Sequence, residues 1–170
     1  MNAAPRLSAA DIDRDFRILD GNGNGSAVAD MGADEFSRLR LTVSVNQSTF
    51  TVGQTLTATV GATNPGLPDA ADWYVGVLGS DSSILFFTST GIVFGSLSDL
   101  TSFRPIATGM LLGAPFSVTV PTFYAYQWSG SEPRGDYVFF LFVVQAGALA
   151  DGVVTGDEIL GLRTAPFSFK

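Results

Sequence analysis

From residue 39 to the end of the chain, short runs of alternating apolar and polar residues are separated by turn-forming glycine, proline and asparagine. Residues 39–46 show this alternation, which is the period of a β-strand with one buried face. The pattern recurs at residues 56–61 and 116–120, and no stretch has the 3.6-residue period of an amphipathic helix. The sequence therefore predicts an all-β protein.

Seven segments are predicted as strands: residues 39–46, 56–61, 73–78, 84–88, 116–120, 137–144 and 159–169. Glycines and Pro105 interrupt residues 89–114, which we interpret as a long connection carrying short strands. Residues 137–144 are almost continuously apolar, as expected of a central strand covered on both faces. Seven to nine short strands joined by such turns are typical of an immunoglobulin-like β-sandwich.

Residues 1–38 have a different composition from the rest of the chain. Seven of the sixteen acidic residues lie here, and residues 20–25 alternate glycine with asparagine or aspartate, a turn-forming pattern. The apolar stretches are too short to form a core and need another surface to pack on. We predict two parts, an acidic, irregular Gly/Asn-rich N-terminal segment (residues 1–38) and a β-sandwich domain (residues 39–170).

The chain contains no histidine and no cysteine. Thiol nucleophiles, disulfides, Cys/His zinc sites and histidine-based triads are therefore excluded. Neither a phosphate-binding loop nor a nucleophile elbow is present. These observations predict a protein that is not an enzyme.

The net charge is −7, and Lys170 is the only lysine. No basic patch exists to neutralise phosphates, so nucleic acid is not an expected partner. The longest apolar run, Val138–Val144, is too short to span a membrane as a helix.

An acidic composition rich in serine, threonine, asparagine and glycine favours an extracellular or cell-surface location, although the chain does not open on a signal peptide.

The acidic turn of the N-terminal segment is a candidate calcium site. Asp20, Asn22 and Asn24 place oxygen atoms at alternate positions, as in the first part of a calcium loop. An EF-hand requires a glutamate at the twelfth position, where this chain has Met31, so the site would be irregular, with Asp30 as a fourth ligand. The alternative is a turn held by side chains that bond their own backbone.

Three aromatic residues, Tyr124, Tyr126 and Trp128, occupy alternate positions and would share one face of a strand. An exposed aromatic row can stack on sugar rings or enter an interface with another protein. Large aromatic side chains are also common in cores. The sequence leaves core, protein-interface and carbohydrate-binding roles open.

The N-terminal segment resembles the C-terminal end motif of secreted bacterial parallel β-helix proteins. Residues 11–17, 20–25 and 30–36 carry this resemblance in the same order of parts. The segment departs from the motif at Arg14, where glycine is usual, and at Phe16, where proline is usual. The β-helix that precedes the motif in those proteins has no counterpart in this sequence, which favours a fragment or truncated chain.

Residues 39–169 are similar to the immunoglobulin-like modules of bacterial surface and secreted proteins. The matching segments are residues 64–66, 73–77, 86–87, 103–105 and 133–140. Such modules are mostly spacers, adhesive surfaces or assembly units, so the resemblance implies fold and location more than activity.

Together these features predict a non-catalytic extracellular module with a structural, assembly or adhesive role. Its expected partners are other protein chains, including copies of itself. Residues 1–38 are expected to pack against an edge of the sandwich or on a neighbouring chain, and head-to-tail docking on another copy would give a filament. The alternative is a carbohydrate-binding module of a secreted enzyme, with Tyr124, Tyr126 and Trp128 binding glycans.

Calcium binding by Asp20, Asn22, Asn24 and Asp30 is directly testable. Because a ligand that binds only the folded state stabilises it, EDTA is expected to lower the melting temperature and excess calcium to restore it. Elemental analysis of the purified protein should then find bound calcium. A melting temperature that EDTA leaves unchanged, with no metal in the sample, contradicts the prediction.

Overall fold

The structure is a computed structural model that describes residues 39–170 and two short strands before them, β1 (Ile18–Leu19) and β2 (Val28–Ala29). The chain divides into two compact units, Met1–Ser37 and Arg38–Lys170. In the first unit, β1 and β2 pair in antiparallel orientation, with Ile18 opposite Ala29.

The second unit is built almost entirely of strands. These are β3 (Arg40–Val45), β4 (Thr49–Phe50), β5 (Thr55–Asn64), β6 (Ala70–Leu78), β7 (Ser83–Thr88), β8 (Gly91–Ser96), β9 (Ala107–Leu111), β10 (Phe116–Gln127), β11 (Gly135–Gln145) and β12 (Ile159–Phe169). Two single-turn 3-10 helices, Leu100–Ser102 and Gly156–Glu158, complete it. No helix in the described part of the chain is long and apolar enough to cross a membrane.

The strands form two sheets. A three-stranded sheet has the order β10-β5-β3, and a seven-stranded sheet has the order β4-β12-β11-β6-β7-β8, with β9 beside the first half of β6. All pairs are antiparallel except β4 with β12. Residues 39–170 contain ten strands, one more than the upper end of the predicted seven to nine. Two of them, β8 and β9, lie in residues 89–114, and the additional one is β4, which is only two residues long.

The inner faces of the two sheets pack on each other and form the main core. Leu56, Ala58 and Val60 of β5 meet Phe139 and Leu141 of β11 in one buried cluster. Alternate residues of each strand supply these contacts because successive side chains point to opposite faces. The all-β sandwich prediction is therefore confirmed.

Strand β11 is buried on its outer face as well. Phe140 and Val144 point away from the main core and form a second cluster with Phe86, Ala148 and Leu149. The chain that follows β11 thus folds back over the outer face of its own sheet. This cover explains the almost continuous apolar run of β11 and confirms its prediction as a central strand.

Two further features are hallmarks of the immunoglobulin fold. Trp73 lies on β6, the third long strand, and is buried in the main core. Tyr137, at the start of β11, donates a hydrogen bond from its hydroxyl group to the carbonyl oxygen of Pro133, the arrangement called a tyrosine corner. With the sheet order, these features make the second unit an immunoglobulin-like sandwich.

A buried carboxylate connects the start of β6 to two loops. Asp72 is one of two buried polar residues among those described. Its two oxygens accept hydrogen bonds from the amides of Gly109 and Gly147 at 2.8 and 2.9 Å. Because a buried carboxylate is costly without partners, these bonds hold β9 and the loop after β11 against β6.

Removing the Tyr137 hydroxyl tests the tyrosine corner. Tyr137→Phe is expected to lower the free energy of unfolding by about 1 kcal/mol, the usual net value of one hydrogen bond. Urea unfolding of the variant and the wild type measures the difference. Tyr124→Phe is the matched control, since no hydrogen bond of the Tyr124 hydroxyl is found within the described residues; an equal loss in both variants would contradict the assignment.

Candidate functional site

Tyr124 and Tyr126 lie on the second half of β10, and Trp128 directly follows its last residue, Gln127. The three rings lie next to one another and contact the main core. Trp128 is 5% exposed and stacks on Phe169 with ring centroids 4.4 Å apart. Tyr124 packs on Phe87 at 4.5 Å. Of the three roles that the sequence left open, Trp128 therefore has the core role and offers no open face to a sugar ring.

Tyr126 belongs to a polar turn at the end of the row. Glu132 accepts hydrogen bonds from the hydroxyl groups of Tyr126 and Ser129 and from the amide of Gly130. These bonds, the one from Tyr126 first, lower the pKa of Glu132 from 4.5 to about 2. The same bond, with burial as the second cause, raises the pKa of Tyr126 to about 12. The Tyr126 hydroxyl thus already donates a hydrogen bond to a residue of the same domain.

The four predicted calcium ligands, Asp20, Asn22, Asn24 and Asp30, lie outside the described residues, and calcium binding stays a prediction. Among the residues that the structure describes, no three acidic side chains come together in a group suited to a metal ion.

The described residues also contain an unpredicted feature, apolar side chains exposed at the end of the seven-stranded sheet. In β8, Ile92 pairs with Phe87 and Phe94 pairs with Leu85. Residues directly opposite each other in an antiparallel pair share a face, and Phe87 and Leu85 face the main core. Ile92 and Phe94 therefore lie on the inner face, yet they are 48% and 74% exposed.

The edge strand β10 of the three-stranded sheet shows the same property. Val118 and Val120 of β10 pair with Ala62 and Val60, which are buried in the main core. They are nevertheless 48% and 40% exposed. We call the exposed inner faces of these two edge strands, with Ile92 and Phe94 on β8 and Val118 and Val120 on β10, the open side of the sandwich.

The open side follows from the unequal size of the two sheets. Two ring contacts place β10 over β6 and β7. The ring centroids of Phe116 and Trp73 are 6.4 Å apart, and those of Tyr124 and Phe87 are 4.5 Å apart. No strand of the three-stranded sheet lies beyond β10. Strand β8 is therefore left uncovered on its inner face.

The two edge strands of the open side are protected to different degrees. The register of β10 shifts between Val120 and Tyr124, and Pro121 within this bulge has no amide to donate. Bulges and prolines are the usual means by which edge strands avoid pairing with other chains. Strand β8 has neither, and its residues Gly91–Ser96 carry no charge.

One sequence signal pointed to β8, namely three successive apolar residues, Ile92, Val93 and Phe94, with no charged residue among Gly91–Ser96. A buried strand has the same composition, so the signal alone does not distinguish an exposed edge from a core position.

Comparisons with known proteins gave structural similarities only. No family model matches the chain, and no curated protein matches it. It is similar to the CARDB domain of the PF1109 protein from Pyrococcus furiosus. For the crystal structure with di-metal ions, the TM-score is 0.38 with 15% identity over 79% of this chain and 91% of that one. For the solution structure, the values are 0.37, 12%, 79% and 97%.

A further similarity is to the alkylpurine DNA glycosylase AlkC of Pseudomonas fluorescens, solved with DNA containing an abasic-site analogue. The TM-score is 0.35 with 12% identity over 79% of this chain. The match spans only 31% of the length of the glycosylase.

The Glu132 turn gives a testable pH dependence. Because the pKa of Glu132 is lowered in the fold, its bonds stabilise the protein above the ordinary pKa of 4.5 and are lost as the pH falls towards about 2. Wild type is therefore expected to be more stable than Glu132→Gln at pH 7, and the difference should vanish near pH 2. Urea unfolding across this pH range measures the difference in the free energy of unfolding between the two proteins. Asp136→Asn, on an exposed residue, is the control; a wild-type advantage that stays constant down to pH 2 contradicts the assignment.

Proposed function

We propose that this chain is a non-catalytic structural module of a secreted or cell-surface bacterial protein, with an assembly or adhesive role. Its partners are other protein chains, including copies of itself. The observation that carries the proposal is the open side, where an uncharged edge strand lies beside exposed apolar side chains. Exposed apolar surface at a sheet edge is typical of a protein-interaction site.

Composition supports the same role. The absence of histidine and cysteine removes the side chains most used for catalysis near neutral pH. The strongly acidic charge disfavours nucleic acid and anionic membranes as partners. The resemblance of residues 39–169 to appended bacterial modules favours an extracellular location.

Self-association through the N-terminal segment is the assembly that we propose for the full chain. Residues 1–38 carry apolar side chains in runs too short for a core of their own, and sheet edges offer unpaired backbone groups. Docking of this segment on the next copy is a head-to-tail contact, which grows into a filament unless it closes into a ring.

Light scattering and negative-stain microscopy of the full chain test self-assembly. We expect the average mass to rise with protein concentration and elongated particles to form. The triple variant Phe16→Ser/Met31→Ser/Phe36→Ser should shorten these particles, because it removes apolar residues that need a host. A wild-type chain that stays strictly monomeric at high concentration contradicts self-assembly.

A glycan array compares this proposal with the carbohydrate-binding alternative. Because Trp128 is buried and the Tyr126 hydroxyl is bound to Glu132, we expect no glycan binding by the folded protein. Binding that Tyr124→Ala or Tyr126→Ala abolishes, in variants that remain folded, would favour the alternative.

A further inference from the structure

Edge strand β8 lacks the usual protection against pairing from Gly91 to Gly95, and only Ser96 at its end is covered, by Asp99 and Ser102. It presents three apolar residues in succession, Ile92, Val93 and Phe94, and Val93 is 37% exposed. Charged side chains, prolines and bulges normally block such edges, and β8 has none of these between Gly91 and Ser96.

The hydrogen bonds of Ser96 show which backbone groups of β8 face the free edge. Its amide donates to the Oγ of Ser102 at 2.9 Å, and its carbonyl oxygen accepts from the amide of Asp99 at 3.2 Å. Both groups therefore point away from β7. Since backbone groups alternate in direction along a strand, those of Ile92 and Phe94 point the same way. No partner for them is found within the described residues.

We infer that β8 pairs in antiparallel orientation with β8 of a second copy, about a twofold axis at Val93. The inference rests on the proposed function, because it names the surface and the partner of one assembly contact. In this register Ile92 lies opposite the partner's Phe94, and Phe94 opposite the partner's Ile92. Both are hydrogen-bonded pairs, so the four edge groups of each copy are all satisfied.

The sequence of β8 is self-complementary in this register. A twofold interface brings the same patch of both copies together, so the patch must match itself. Glycine lies opposite glycine at Gly91 and Gly95, and apolar residues lie opposite apolar residues at the three positions between them. Cross-strand apolar pairs of this kind stabilise antiparallel sheets.

Charge does not oppose this contact, although each chain carries −7. Strand β8 has no charged residue, and the nearest one in the sequence is Asp99. Its carboxylate accepts hydrogen bonds from the amide and the hydroxyl group of Thr101 at 3.0 and 2.6 Å. The paired residues on both sides of the twofold axis are therefore uncharged, which limits the repulsion between two acidic copies.

The open side leaves room for the second copy. Strand β10 lies over β6 and β7, so β8 extends past the three-stranded sheet and a partner's β8 approaches it from the side. The pairing ends at Gly95, because Asp99 and Ser102 already occupy the edge beside Ser96. Five paired residues bury less than the roughly 800 Å² per partner of a standard interface, so the dimer is weak and depends on concentration.

Disulfide trapping tests the twofold axis, since the natural chain has no cysteine. In the inferred pairing the two Val93 Cα atoms lie about 4.5 Å apart, within the range that a disulfide spans. Val93→Cys is expected to form a covalent dimer under mild oxidation at least about tenfold faster than Ile92→Cys or Val118→Cys. Exposure alone would favour the opposite order, because Val93 is less exposed than Ile92 and Val118. Ile92 faces Phe94 in the pairing, and Val118 lies on β10. Equal rates in the three variants overturn the axis.

Sedimentation equilibrium tests the contact without cross-linking. Val93→Lys places like charges on the axis and is expected to weaken dimerisation by at least about tenfold, whereas Val118→Lys, on the neighbouring edge, should leave it unchanged. Circular dichroism checks that both variants fold. A wild type without dimers that also fails to cross-link through Val93→Cys overturns the inference. Assembly that Val93→Lys leaves unchanged also overturns it, while the proposed self-assembling function stands.

Discussion

The burial of β11 on both faces is the constraint on which the rest of the fold depends. Its inner face carries Phe139 and Leu141 into the main core, and its outer face carries Phe140 and Val144 into the second cluster. A strand this apolar is stable only when something covers each side. The three-stranded sheet covers the inner side, and the segments after β8 and β11 cover the outer side.

The smaller sheet has only three strands, and because they cover β11 and its neighbours, none is left to cover the edge strand β8 of the larger sheet. The three strands of the smaller sheet are centred over β12, β11, β6 and β7, and none of them covers the inner face of β8. Apolar side chains such as Phe94 consequently face solvent where a larger upper sheet would bury them. The open side is thus a consequence of the way the core is closed, and it is the surface that we propose as a contact with another chain.

Polar groups in this domain mainly hold loops in place. Asp72 fixes two loops against β6, Glu132 organises the turn before β11, and the Tyr137 hydroxyl fixes the corner between β10 and β11. Each of these groups is satisfied by backbone or hydroxyl donors and acceptors of the same domain. The aromatic row that resembled a ligand platform belongs to this internal framework, since Trp128 is core and Tyr126 is bonded to Glu132.

The sequence alone determined the strand content, the central position of β11 and the shared face of Tyr124, Tyr126 and Trp128, because these follow from the two-residue period of a strand and from continuous apolarity. The direction in which that face points, and the exposure of Ile92 and Phe94, were decided by the tertiary structure. Both depend on which strands of one sheet lie over which strands of the other. That arrangement joins residues far apart in the chain, such as Tyr124 and Phe87, and alternation within a single strand carries no information about it.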